Sequence, residues 1–87
     1  MSRHYHVEEA GDHESVSRPI STFRAAKSEA FQYVQQARAT SIWKSWHVDW
    51  SDPKAGYHRW LGITRPSGPA GGEYADTITV VPCIETH

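Results

Sequence analysis

The chain predicts an α+β fold: a two-layer sandwich with one helix packed on a mostly antiparallel four-stranded sheet, in the order β-α-β-β-β, with room for a further short strand before the helix. Three observations lead to it. Residues 42–49 and 57–64 each sort at a two-residue period into two faces. Ala26, Ala30, Tyr33, Val34 and Ala37 fall at three- and four-residue spacings on one stripe, and no other segment carries that period convincingly. The chain has 87 residues, so 1–87 reads as one small domain that buries roughly 60 to 65% of the surface its unfolded form exposes. A single helix then covers one side of the sheet and leaves the other available.

Taken in order, residues 4–10 alternate Tyr5 and Val7 with His4, His6 and Glu8 and read as a strand, broken by Gly11 and Asp12. Residues 15–20 carry Val16 and Ile20, but Pro19 confines them to an edge strand or an extended loop, because proline cannot donate to an interior ladder. The helix is expected over 25–39, with Ser21 or Thr22 as its N-cap, Phe23 packing against the stripe, and Arg24, Lys27, Gln32, Gln35, Gln36 and Arg38 facing solvent. Two strands follow, joined at 51–56 by a turn that begins Asp-Pro and ends in Gly, which predicts an antiparallel hairpin. Residues 66–72 are dense in Gly and Pro and read as a loop that extends toward 75. Residues 77–85 close the chain as a strand, with Ile78, Val80 and Ile84 on one side and Thr77, Thr79, Val81 and Cys83 on the other.

This assembly predicts a core of Tyr5, Val7, Ile20, Ala30, Val34, Ile42, Trp46, Val48, Leu61, Ile63, Ile78, Val80 and Ile84. The outer face would collect His4, His6, Trp43, His47, His58, Trp60 and Thr79. Four Trp, four Tyr and two Phe exceed what a core this small needs, since a buried indole requires a partner for its N–H. Trp43, His47, His58 and Trp60 are therefore the expected binding residues, with the indoles as anchors and short polar neighbours as a rim.

Charge and motif content exclude several classes. Nine Lys and Arg against ten Asp and Glu give a net charge of −1, so bulk electrostatics nominate no nucleic-acid partner. One cysteine allows neither an internal disulfide framework nor a Cys-pair zinc motif, which fits a reducing cytoplasm. No apolar run approaches the roughly eighteen residues of a membrane span, and the N-terminus lacks the apolar stretch of a signal peptide, so a soluble, cytoplasmic protein is expected. His4 and His6, two apart on a strand, would point both rings the same way and offer two ligands to zinc, but no sequence motif completes a tetrahedral site; no metal or cofactor is assigned. Cys83 follows a proline without a paired motif, Ser45 and His47 lack an oxyanion hole, and Gly71-Gly72 opens no helix, so no catalytic residues are assigned. The same aromatic face with Lys44, Arg59 and Arg65 nearby resembles a stacking platform for single strands, which keeps nucleic-acid binding as the alternative. Binding through a histidine-bearing face should weaken below about pH 6.

The run Pro19-Ile20-Ser21-Thr22-Phe23-Arg24-Ala25-Ala26-Lys27-Ser28-Glu29-Ala30, leading into helix and then three strands, resembles the plan of small phage and mobile-element proteins, including some anti-CRISPR proteins. The resemblance is architectural and covers most of the chain; its only local echo is a Phe ahead of a Lys-x-Glu-Ala helix start. It implies a compact, cofactor-free inhibitor that occupies a host complex, and carries over no site residues. Members that imitate nucleic acid are often more acidic than this chain, which argues against DNA mimicry. The function expected is thus a non-enzymatic protein-binding module, an anti-CRISPR-like inhibitor that sterically blocks a larger host protein or ribonucleoprotein complex. Homodimerisation through the same face is the alternative that would equally bury the rings.

Overall fold

The computed structural model describes residues 3–11, 14–40, 44–64 and 75–85. Along them run β1 (His4–Ala10), β2 (Ser15–Val16), α1 (Phe23–Thr40), β3 (Lys44–Asp52), β4 (Tyr57–Thr64) and β5 (Ala75–Cys83). The strands form one five-stranded sheet, ordered β2-β1-β5-β4-β3, in which every pairing is antiparallel. The α+β class is as the periodicities predict, and the short strand ahead of the helix is present as β2. Ile42, Trp43 and the Gly-Pro loop at 66–72 lie outside the described residues.

The helix begins where Thr22 caps it: the Ala25 N–H donates to Thr22 Oγ1 at 3.1 Å, satisfying one of the donors the first turn leaves open. Ala26, Ala30 and Val34 turn its small stripe onto the sheet and are buried. They let the backbone approach closely over β1 and β5, where Tyr5, Val7, Ile78 and Val80 complete the buried core with Trp46 of β3. The helix end reaches β3 through Arg38, which donates to the Trp46 carbonyl at 3.4 Å. Beyond β1, the chain after β2 stays at the sheet edge. Ser17 N–H donates to the Val7 carbonyl, Tyr5 and Ile20 exchange backbone bonds, and Pro19 stands between them as the edge position requires.

Register then decides which side chains the helix covers. In β4 and β5, His58 pairs with Val80, Trp60 with Ile78 and Gly62 with Asp76. Val80 and Ile78 lie under the helix, so His58, Trp60 and Gly62 share that covered face, and Tyr57, Arg59, Leu61 and Ile63 take the open one. The sorting expected from hydrophobicity was the reverse for β4. Placing 59, 61 and 63 inward would put a guanidinium under the helix, whereas His58 can be buried neutral and Trp60 presents a ring. Gly62 also supplies a seat: a Cβ there would stand 2.6 Å from the Trp46 ring, so only glycine lets that indole lie across β4. Leu61 and Ile63 are accordingly half-buried on the open side rather than core. Ile20 packs at the core's margin, while Val48 and Ile84 are exposed because the helix lies over the centre of the sheet.

The hairpin between β3 and β4 holds a second register feature. Val48 pairs with Trp60 but Trp50 pairs with Arg59, so Asp49 is an extra residue and the strand bulges. A two-residue period would have put Trp50 on the covered side with Trp46 and Val48; the bulge moves it to the open side and turns Ser51 inward toward His58. Gly56 closes the turn at φ 88°, where its N–H donates to the Asp52 carbonyl at 2.9 Å. A Cβ at Gly56 would meet Tyr5 at 2.9 Å, which also requires glycine.

Candidate functional site

The four residues expected to share one outer face do not. Trp43 lies outside the described residues, His47 is exposed on the open side, and His58 and Trp60 lie on the helix-covered side. His58 is 4% exposed. Its Nδ1 stands 2.8 Å from Ser51 Oγ, and its ring meets Trp60 edge to face at 5.4 Å. Burial, and secondarily the charge of Lys27, holds its pKa below the ordinary imidazole value. This is a residue kept neutral by its surroundings. Trp60 packs on the helix residue Phe31, rings 5.5 Å apart. His58 Nε2, Trp60 Nε1 and Trp46 Nε1 are buried without a hydrogen-bond partner among the described residues. Arg24, Lys27, Ser28, Phe31 and Trp60 border a shallow apolar groove of about 330 Å³ beside the helix.

The open face carries a different aromatic pair. Trp50, 45% exposed, lies against Tyr57 with ring centroids 5.1 Å apart. Leu61 and Ile63 continue this face along β4, with His47 opposite Leu61 on β3. Arg59 sits beside them, but its Nε donates to Thr79 Oγ1 at 3.1 Å, which holds the guanidinium along the sheet and buries Thr79 beneath it. Trp50 and Tyr57 are not legible in the sequence as a pair, because only the bulge at Asp49 brings them together. An Asp among aromatic strand residues was the one available hint.

A second cluster lies on the same face at the other side of the sheet. His4 pairs with Cys83 across β1 and β5, and His6 follows two residues on, so all three side chains project together. One donor atom from each lies within 4.8 Å of the other two. The two Nε2 atoms are 3.1 Å apart and the rings meet edge to face at 4.9 Å. His6 Nδ1 stands 2.8 Å from the Ser17 carbonyl oxygen, which can only accept, so Nδ1 carries the proton and Nε2 presents its lone pair to His4. The His4 and His6 spacing was visible in the sequence; the approach of Cys83 was not, because nothing local links the two ends of the chain.

Comparison with known protein families, with curated proteins and with solved structures gave no match, so the geometry carries the functional conclusion. Among the described residues no helix is long and apolar enough to cross a membrane.

Proposed function

We propose that this chain is a non-enzymatic binding protein that docks on a protein partner through the open face of the β3–β4 hairpin. One observation carries the proposal: Trp50 stays 45% exposed while its ring lies tilted against Tyr57, on the side of the sheet that the helix does not cover. A large rigid ring held in place by a neighbour loses little conformational freedom on binding, which is what an interface anchor needs. Leu61 and Ile63 extend the apolar surface, and His47 supplies a polar margin. A protein is favoured over a single-stranded nucleic acid because the chain is near neutral and, among the described residues, the guanidinium beside the aromatic pair, that of Arg59, is held along the sheet by its bond to Thr79. A phage-type inhibitor that blocks a host complex is one form of this proposal, since steric block needs a docking surface and no chemistry.

Affinity capture from a nuclease-treated cell lysate, run beside a Trp50→Ala/Tyr57→Ala variant, tests it. The expected result is a stoichiometric protein recovered by the wild type and lost with the variant, while circular dichroism shows the fold retained. Recovery of nucleic acid alone without nuclease, equal recovery by both proteins, or a self-associated dimer with nothing else bound would overturn it.

A further inference from the structure

We propose that His4, His6 and Cys83 form a binding site for a borderline-soft transition-metal ion of the zinc class, with three protein ligands and a fourth position for water or another donor. The proposal is independent of the docking surface. Imidazole and thiolate are the donor types zinc takes up in proteins. With Zn–N near 2.0–2.1 Å, tetrahedral geometry separates two ligating nitrogens by about 3.3 Å and a nitrogen from a sulfur by about 3.6 Å. The observed Nε2 to Nε2 separation is 3.1 Å, and all three donor atoms fall within 4.8 Å, so ordinary side-chain adjustment brings them to one ion.

The protonation pattern is already suited to ligation. His6 donates from Nδ1 to the Ser17 carbonyl, the arrangement in which a backbone acceptor fixes the tautomer and aims Nε2 at a metal. With His6 neutral and its proton on Nδ1, the contact between the two Nε2 atoms requires His4 to donate from Nε2–H. On ligation, His4 takes its other neutral tautomer, placing the proton on Nδ1, and the Cys83 thiol releases its proton as the S–metal bond forms. No oxidant or further reactant is required. His6 is buried and His4 and Cys83 are half-buried, so the ion would be shielded on the sheet side. A groove of about 670 Å³ bordered by His6, Ser17, Pro19, Val81 and Cys83 gives it a route in.

The fold gains something definite from such a site. His4 opens β1 and Cys83 ends β5, and the Ser17 carbonyl belongs to the edge segment beyond β1. One ion would tie the first strand, the last strand and the sheet edge together, a staple of the kind small cores use.

Cobalt titration of the chelator-treated full chain, monitored by absorption, tests the assignment. The expected spectrum saturates at one Co²⁺ per chain with a thiolate-to-cobalt charge-transfer band, and Zn²⁺ displaces it. Zn²⁺ should also raise the melting temperature and slow alkylation of Cys83, the only thiol present. Cys83→Ser should abolish the band, and it and His6→Gln should each weaken zinc binding at least tenfold. Should either variant fail to fold, the wild-type spectrum and alkylation protection still decide. Absence of the charge-transfer band, unchanged alkylation with zinc, or zinc affinity indifferent to Cys83→Ser in a folded variant would overturn the site.

Discussion

Gly62 sets how the hairpin closes, because the Trp46 indole lies where its side chain would be. Trp46 belongs to the buried core, and β4 faces it with a residue that takes no space. Gly62→Ala should therefore cost about 1–3 kcal/mol as the indole is pushed from its seat, a loss visible as a lower denaturation midpoint. An unchanged midpoint would mean that the ring has somewhere else to go. His58 makes a separate statement about pH. Its pKa lies below the usual 6.5 in the native state, chiefly through desolvation and then through Lys27, so the unfolded chain takes up a proton at higher pH than the folded one does. Stability is full above the unfolded value and falls as pH drops below about 6.5, levelling off once the native imidazole itself protonates. In His58→Gln the drop in melting temperature between about pH 7 and pH 5 should shrink. A drop of wild-type size would assign the acid sensitivity to other groups. Of the two histidines among the expected binding residues, only His47 can carry the acid weakening of binding, since His58 is buried under the helix.

The helix and the sheet explain different parts of what the periodicity could reveal. A stripe of Ala26, Ala30 and Val34 identifies both the helix and its buried side, since a 3.6-residue period with small side chains has only one way to pack. Ala30→Leu should force the helix off the sheet and cost about 1–3 kcal/mol in chemical denaturation, with helix content retained. A neutral result would require an unfilled space beneath α1. Strand β4 was ambiguous for a physical reason. Its two faces, His58-Trp60-Gly62 and Tyr57-Arg59-Leu61-Ile63, are both partly apolar, so alternation alone does not say which goes inward. The choice comes from non-local pairing: Trp46 requires Gly62, and Phe31 of the helix meets Trp60. Strand β3 was misleading past Asp49, because a bulge reverses the alternation without leaving a periodic signal.

At the scale of the molecule, the one helix among the described residues cannot cover five strands, and the side away from it holds both the Trp50–Tyr57 pair and the His4–His6–Cys83 cluster. Docking of a protein partner on the first of these would be governed by apolar burial, so affinity should change little from low to high salt. A steep fall with salt would instead mark phosphate neutralisation and a nucleic-acid ligand. By itself the sequence determined the class of fold, the helix and a cap at Ser21 or Thr22, of which the structure uses Thr22, the hairpin turn, and a central core of Tyr5, Val7, Val34, Ile78 and Val80, since each follows from local chemistry or from a period a few residues long. Only the tertiary structure decided which face of β4 looks outward, that Trp50 stands there in place of Trp60, and that Cys83 meets two histidines from the opposite end of the chain. Those outcomes depend on register between strands distant in sequence, where a shift of one residue exchanges the two faces and leaves the composition unchanged.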